Sequence, residues 1–273
     1  LNFSQRNLER FTTAIGKPFG MIIVTGPTGS GKSTTLYSML NELNTVERNI
    51  ITVEDPVEYQ VKGITQVQAR ASIGMTFANA LKSILRQSPD VVMIGEIRDG
   101  ETADIAVKAA LTGQLVLSTL HTNDAAGAVV RLRDMGVEPF LISSSLSLVA
   151  AQRLCRKICD NCKVSVELSA EELLQLGFDT TVSELIETPN FSKGTGCSKC
   201  ARTGLKGRVA ITETLLIDSD VAHMIEEGCS SNQIKMEAMK KGMLTLRTDA
   251  LLKFAQGLIP VDEVLRTTSS DEG

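Results

Sequence analysis

The sequence predicts an α/β protein with a mostly parallel sheet covered by helices on both faces. Two observations carry that prediction. Short apolar runs alternate with helix-like segments along residues 21–120, the pattern of consecutive strand–helix–strand units. Each apolar run also ends in a loop dense in hydroxyl, acidic or basic residues. The loops beyond the carboxyl ends of the strands are where an open α/β sheet places its ligand.

The elements follow in order. Residues 2–15 (NFSQRNLERFTTAI) repeat apolar residues at helical spacing, with Phe3, Leu8, Phe11 and Ile15 on one face, and Gly16-Lys17-Pro18 breaks the pattern. Residues 21–25 (MIIVT) are continuously apolar, as a strand buried on both faces must be. A glycine-rich loop leads into a helix over 32–43. Residues 49–53 (NIITV) read as a second strand running into Glu54-Asp55-Pro56. A helix over 77–85 precedes a strand over 91–94 (VVMI) that meets Gly95-Glu96. An amphipathic helix over 102–111 precedes a strand over 115–120 (LVLSTL). After about Leu154 the pattern changes. Residues 155–206 contain two cysteine pairs and Ser169-Ala-Glu-Glu172, a capping-box start for one short helix. Residues 218–267 read as three or four short helices broken at Gly228, Gly242 and Gly257. The expected organisation is a core over 1–154, a cysteine module over 155–206 and a C-terminal helical subdomain over 207–273.

Composition bounds the function. With 273 residues, 42% hydrophobic and 22% charged, the chain fits one large or two smaller globular domains, not a disordered or fibrous class. A net charge of −4 argues against a surface built to coat nucleic acid. The apolar stretches fall far short of the roughly 20 residues that cross a bilayer, and no secretory signal pattern opens the chain. It begins at Leu1 rather than Met, so a piece of a longer protein is expected. Four of the six cysteines form two C-x-x-C pairs, which suits metal ligation in a reducing cytosol better than disulfides.

The strongest motif is Gly26-Pro27-Thr28-Gly29-Ser30-Gly31-Lys32-Ser33, followed by Thr34. It matches G-x-x-x-x-G-K-[ST]. Glycines let successive backbone N–H groups turn inward on a phosphate chain, and the next helix directs its positive end at the same anion. Lys32 reaches the β- and γ-phosphates, and the Ser33 hydroxyl ligates Mg²⁺. The competing explanation is a glycine-rich surface turn. At average composition such a match arises in roughly one chain in a hundred of this length, and the apolar run before the loop and the helix pattern after it also fit a phosphate loop.

A phosphate loop needs an acid on a second strand to hold Mg²⁺ or polarise water. Glu96, just past the 91–94 run, stands in that position. Glu54, Asp55 and Glu58 lie within Thr52-Val-Glu-Asp-Pro-Val-Glu-Tyr59, where mutual repulsion calls for a cation or basic partner. His121 ends the 115–120 strand beside Thr122 and Asn123 and could hydrogen-bond a γ-phosphate. Arg98, Arg131, Arg133 and Arg153 could engage phosphate bidentately, although an isolated surface arginine is most often only solvated.

The phosphate loop, ITVEDPVEY (51–59), VVMIGEIRD (91–99) and STLHTNDA (118–125) stand in a fixed order. That order resembles the secretion ATPase family of type II secretion and type IV pilus assembly, whose Walker A, Asp box, Walker B and His box they match. The resemblance spans roughly residues 15–265. It implies a RecA-like core, a hexameric ring hydrolysing ATP with Mg²⁺ between subunits, and rotation of an inner-membrane platform protein by a cytoplasmic enzyme held peripherally at that membrane. It makes Glu96 the Walker B glutamate, puts Glu54 and Glu58 in the Asp box and His121 in the His box, and leaves open which acid activates water. Family arginines reach neighbouring nucleotides, with Arg131 and Arg153 as candidates.

The cysteines narrow the resemblance. Cys159-Asp-Asn-Cys162 and Cys197-Ser-Lys-Cys200 are separated by 34 residues. Four thiolates in two hooks suit a closed, structural tetrahedral Zn²⁺ site. The separation exceeds the usual ribbon spacing of about 15–20 residues, so the stretch between should carry its own helix. Such a module resembles the assembly and secretion ATPases and is absent from typical pilus-retraction ATPases; RTGLKGR (202–208) is also like the assembly group. Cys155 and Cys229 remain ordinary thiols. Complete members carry an upstream domain that supplies further arginines and binds platform or regulatory partners, so this chain alone is expected to bind nucleotide and hydrolyse it poorly. Two alternatives stand beside this reading. The four cysteines count against a conjugation-type secretion ATPase. Acidic charge and few aromatics count against a zinc-ribbon nucleic-acid-binding NTPase, and no stable nucleic-acid partner is expected.

Overall fold

The computed structural model describes residues 2–178, 180–186 and 188–268; residues 1 and 269–273, the outer ends of the expected first and last domains, lie outside these. The chain packs as two compact units. One comprises Gln5–Ala151 and Thr214–Met243. The other comprises Gln152–Glu213 with described residues 2–4 and 244–268.

The first unit contains the parallel sheet. Its strands are β1 (Gly20–Thr25), β2 (Ile50–Glu54), β3 (Thr65–Gln68), β4 (Val91–Ile94), β5 (Leu115–Leu120) and the first part of β6 (Leu146–Ile158). The order is β3-β2-β4-β5-β1-β6, and each of these neighbouring pairs is parallel. Every residue of β1, β2, β4 and β5 is buried, the reason these runs are continuously apolar rather than alternating. Burying a side chain such as Ile22, Met93 or Leu117 contributes about 1.5–3 kcal/mol. The helices are α1 (Gln5–Ile15), α2 (Lys32–Leu43), α3 (Phe77–Ile84), α4 (Gly100–Leu111), α5 (Ala125–Asp134) and α6 (Pro139–Ser145).

The α/β architecture expected from the sequence is the one observed, with small shifts at element ends. Helix α4 starts at Gly100, two residues early, because the Asp99 carboxylate accepts the Thr102 N–H at 2.8 Å and caps it. Strand β3 escaped the sequence reading: its TQVQ sits at the sheet edge and has no buried residue.

The second unit contains β7 (Lys163–Ser165) paired antiparallel with β8 (Ser192–Gly194), and helices α7 (Ala170–Gln175) and α8 (Thr180–Glu184) between them. One helix was expected there, and two are present among the described residues. Ser169 caps α7 as predicted: its Oγ accepts from Glu172 N at 3.2 Å, and Glu172 Oε2 accepts from Ser169 N at 2.8 Å. Strand β9 (Leu205–Leu216), to which the sequence reading assigned no element, lies beside β6 in the strand order; Val209, Ile211, Thr212 and Thr214 give it β-branched character. Four helices then follow, α9 (Ser219–Glu226), α10 (Ser231–Lys240), α11 (Leu246–Ala255) and α12 (Val261–Thr267). Helices α9 and α10 belong to the first unit, α11 and α12 to the second. Among the described residues, no helix is long and apolar enough to cross a membrane.

Candidate nucleotide site and metal centre

The loop between β1 and α2 takes its shape from its glycines. Gly29 and Gly31 have φ of 77° and 88°, backbone that side chains with a Cβ rarely adopt. Pro27, Thr28 and Gly29 are exposed, Ser30 is buried, and Ser33 and Thr34 lie exposed in the first turn of α2. Lys32 Nζ donates to the carbonyls of Gly26 (2.7 Å) and Pro27 (3.1 Å). Partial burial lowers the Lys32 pKa, and the charge of Glu96 opposes that shift. The lysine therefore lies within the field of the acid just past β4.

Because the strands are parallel, β1, β2, β4 and β5 end at one edge of the sheet, and their loops come together there. Glu96 follows β4 with its side chain 17% exposed; it pairs with Arg98 Nη2 and lies 3.4 Å from His121 Nε2. Burial opposes ionisation of Glu96, but Arg98 and then His121 outweigh it and hold the carboxyl below the usual carboxylate range. Arg98 also reaches to 3.9 Å from Asp55. Short ties fix these loops to each other. Thr119 Oγ1 donates to the Gly95 carbonyl at 2.7 Å, and Thr122 N donates to Thr25 Oγ1 at 2.8 Å, joining the His121 loop to the start of the phosphate loop.

The remaining predicted residues occupy different settings. Glu54 is buried and accepts hydrogen bonds from Tyr37 Oη (2.5 Å), Thr52 Oγ1 (2.5 Å) and Gln66 Nε2 (3.2 Å). Glu58 is exposed in the loop beyond the cis Asp55–Pro56 bond. Arg131 is exposed on α5. Arg133 Nη1 donates to the Gly228 carbonyl at 2.8 Å. Arg153 belongs to the second unit, where its Nη1 donates to the Thr267 carbonyl at 2.6 Å. The sequence reading missed Tyr37 and Gln66; their only signal is that Tyr37 falls on the inward face of α2, four residues past Ser33.

In the second unit, Cys159, Cys162, Cys197 and Cys200 converge with all four sulfurs within 4.8 Å of one another. The Sγ···Sγ distances are 3.9 Å for Cys159–Cys197, 3.8 Å for Cys162–Cys200 and 3.7 Å for Cys197–Cys200. These are far longer than the ~2.05 Å of a disulfide. They match the edges, about 3.8 Å, of a tetrahedron around Zn²⁺ with ~2.3 Å bonds. Cys197 N and Gly204 N both point at Cys200 Sγ, at 3.2 and 3.3 Å. The Cys197 N–H is the largest influence, and it and the Gly204 N–H bring the Cys200 thiol down to about 6, whereas burial pushes Cys162 up to about 11. The hooks close where two backbone segments cross glycine to glycine. A Cβ on Gly194 would lie 2.0 Å from the Gly204 carbonyl oxygen, and that same oxygen accepts Cys159 N at 2.9 Å. Cys155 is buried against Thr267 Oγ1 at 3.3 Å, and burial raises its pKa. Cys229 is half-buried.

Comparison with known proteins gives these sites a context. The profile described as "Type II/IV secretion system protein" matches residues 1–266. The chain is 50% identical over 268 residues to the type IV pilus assembly ATPase PilB of Thermus thermophilus, covering 98% of this chain and 30% of that protein. It is 49% identical to the PilB of Myxococcus xanthus (99% and 48%) and 50% identical to the type II secretion system ATPase E of Vibrio cholerae (98% and 52%). The chain thus spans about half or less of the length of these curated relatives. Among solved structures, the pilus retraction motor PilT with bound ADP is 29% identical with a TM-score of 0.71, over 99% of this chain and 66% of that one. The Legionella pneumophila ATPase DotB is 26% identical with a TM-score of 0.68, over 97% and 63%. With the profile matched nearly end to end and relatives at half identity, the chain belongs to the type II/IV secretion system protein family.

Proposed function

We propose that this chain is the ATP-hydrolysing core of a hexameric motor that powers a type IV pilus or a type II secretion pseudopilus through an inner-membrane platform protein, from the cytoplasmic side. One observation carries the reading: Lys32, Glu96, His121 and Arg98 gather where parallel strands β1, β4 and β5 end, with the lysine in the field of the acid. Relatives named for pilus assembly and for type II secretion are equally similar, at 50% identity each, so the reading covers both systems.

In this reading the backbone N–H groups of residues 27–34 and Lys32 hold the phosphates, and the exposed Ser33 hydroxyl is the ligand for Mg²⁺, which supplies charge neutralisation on the β- and γ-phosphates. Glu96, ionised at neutral pH, accepts a proton from the water that attacks the γ-phosphorus as the bond to the bridging oxygen breaks. His121 and Arg98 orient that carboxylate, and His121 also hydrogen-bonds the γ-phosphate. Glu58 would contribute negative charge towards a bound Mg²⁺. Arg131, Arg133 and Arg153 are the arginines assigned to nucleotide contacts, with Arg131 and Arg153 reaching across a subunit boundary. Cys159, Cys162, Cys197 and Cys200 hold one structural Zn²⁺, and no stable nucleic-acid complex forms. The test is calorimetry with Mg·ATP: Lys32→Ala should abolish binding. Unchanged affinity in that variant would remove the basis of the assignment.

A further inference from the structure

We propose that Glu54 is a positioning residue: with Tyr37 and Gln66 it forms a buried strut that sets the Glu58 loop against the phosphate-loop helix. This rests on the ATPase reading above and assigns Glu54 a different task from that of Glu96.

The Glu54 carboxyl is fully engaged by hydrogen bonds within the fold. Tyr37 Oη donates to Oε2 at 2.5 Å; Thr52 Oγ1 and Gln66 Nε2 donate to Oε1 at 2.5 and 3.2 Å. All three neighbours are neutral donors, and between them they engage both carboxyl oxygens. The residue is 3% exposed, which leaves no approach for a water or a phosphate. Hydrogen bonding to Glu54, together with burial, pushes the Tyr37 hydroxyl well above its ordinary range, burial being the larger cause, so the phenol remains a donor at any working pH.

What the strut joins is specific. Tyr37 stands on α2, five residues after Lys32 and four after Ser33. Gln66 stands on β3, and its amide grips the loop that lies between Glu54 and itself: Nε2 donates to the Tyr59 carbonyl at 3.1 Å, and Oε1 accepts Val61 N at 2.8 Å. The Tyr59 ring packs on the Tyr37 ring, with centroids 4.3 Å apart. Glu58 is thus carried by a loop fastened on one side to the helix that begins at Lys32. Through the backbone, Glu54 also leads directly to Asp55, which faces Arg98 at 3.9 Å. A carboxylate with three donors that all lead to structural elements fixes the distance between the metal-side hydroxyl on α2 and the acids beyond β2.

The experiment compares Tyr37→Phe, Glu54→Gln and the double variant in the intact protein. Hydrogen exchange over residues 56–64 should rise in both single variants, with no change at the phosphate loop. Turnover at saturating Mg·ATP should fall by up to about a hundredfold, the scale of a displacement near 1 Å, while Mg·ATP affinity holds. The double variant should be no slower than the slower single, because both break one unit. The acid limb of the kcat profile should survive in all three. The inference is overturned if Glu54→Gln erases that limb while Tyr37→Phe turns over normally, which would make Glu54 the proton acceptor. It is equally overturned if exchange and turnover stay at wild-type values. Absence of ATP hydrolysis in the unsubstituted protein would instead defeat the ATPase reading, and the exchange measurement would still decide the strut.

Discussion

The cysteine cluster allows a metal–ligand distance to be worked out in advance. Three of the six Sγ···Sγ edges, at 3.9, 3.8 and 3.7 Å, average 3.8 Å, and every sulfur pair lies within 4.8 Å. In a regular tetrahedron the centre lies 0.61 of an edge from each corner, here about 2.3 Å, the Zn–S bond length. X-ray absorption at the zinc edge should therefore show four sulfur neighbours at about 2.3 Å and no nitrogen or oxygen shell. Metal analysis should find about one zinc per chain. Cys159→Ser should lose the metal, because a serine hydroxyl does not replace a thiolate in a closed site. Hydrogen exchange should then rise around residues 159–204, while Mg·ATP binding persists, since no phosphate-loop residue belongs to that unit. A folded protein without zinc, or a shell containing nitrogen or oxygen, would refute the reasoning.

Further predictions address chemistry and stability. Glu96→Gln should keep nucleotide bound and slow phosphate release by about 10²–10⁴-fold, the usual contribution of a positioned base; wild-type release would reassign the proton acceptor. Glu263 has a buried carboxylate that accepts from Arg156 N, Arg156 Nε and both Nε and Nη2 of Arg266. Burial opposes its ionisation, but the arginines prevail and hold it at about 2. A depressed carboxyl stabilises fully above its unfolded value near 4.3 and loses that stability as pH falls towards 2. Both arginine side chains are more than half exposed, 56% and 52%, so screening reduces the effect to about 1–2 kcal/mol at pH 7. Urea unfolding of Glu263→Gln should show that deficit at pH 7 and a smaller one at pH 3; equal deficits would contradict it. Lys253 and Asp249 form a buried pair at 2.6 Å, and Asp249 Oδ2 also accepts Thr212 N at 2.7 Å. Lys253→Met should cost about 3–5 kcal/mol. Adding Asp249→Asn should recover part of it, and a double variant less stable than the single would count against the pair.

What could be read from the sequence was set by local rules. The parallel strands were legible because burial on both faces forces a continuous apolar run, as in β1 and β4. The phosphate loop and the cysteine hooks were legible because their chemistry fixes residue type and spacing together. The distinction between Glu54 and Glu96 was not. Both stand at the end of an apolar run, and only the fold brings Tyr37 and Gln66 onto one and His121 onto the other. The same holds for β9, whose pairing depends on β6 more than forty residues earlier, and for the separation of α9 and α10 from α11 and α12, whereas β3 lacked a signal because none of its residues is buried.

The β7–β8 clamp has a consequence for variation and engineering. It pairs Lys163 with Gly194, directly after the first hook and just before the second. The metal site is thereby closed at its base, and whatever lies between residues 165 and 192 hangs from a fixed hairpin stem. Lengthening a closed loop costs only about 0.6 kcal/mol per doubling. The long separation between the hooks is therefore compatible with an unchanged sulfur tetrahedron. The same stretch offers a graft point where a fluorescent reporter could be spliced in and the protein followed in living cells.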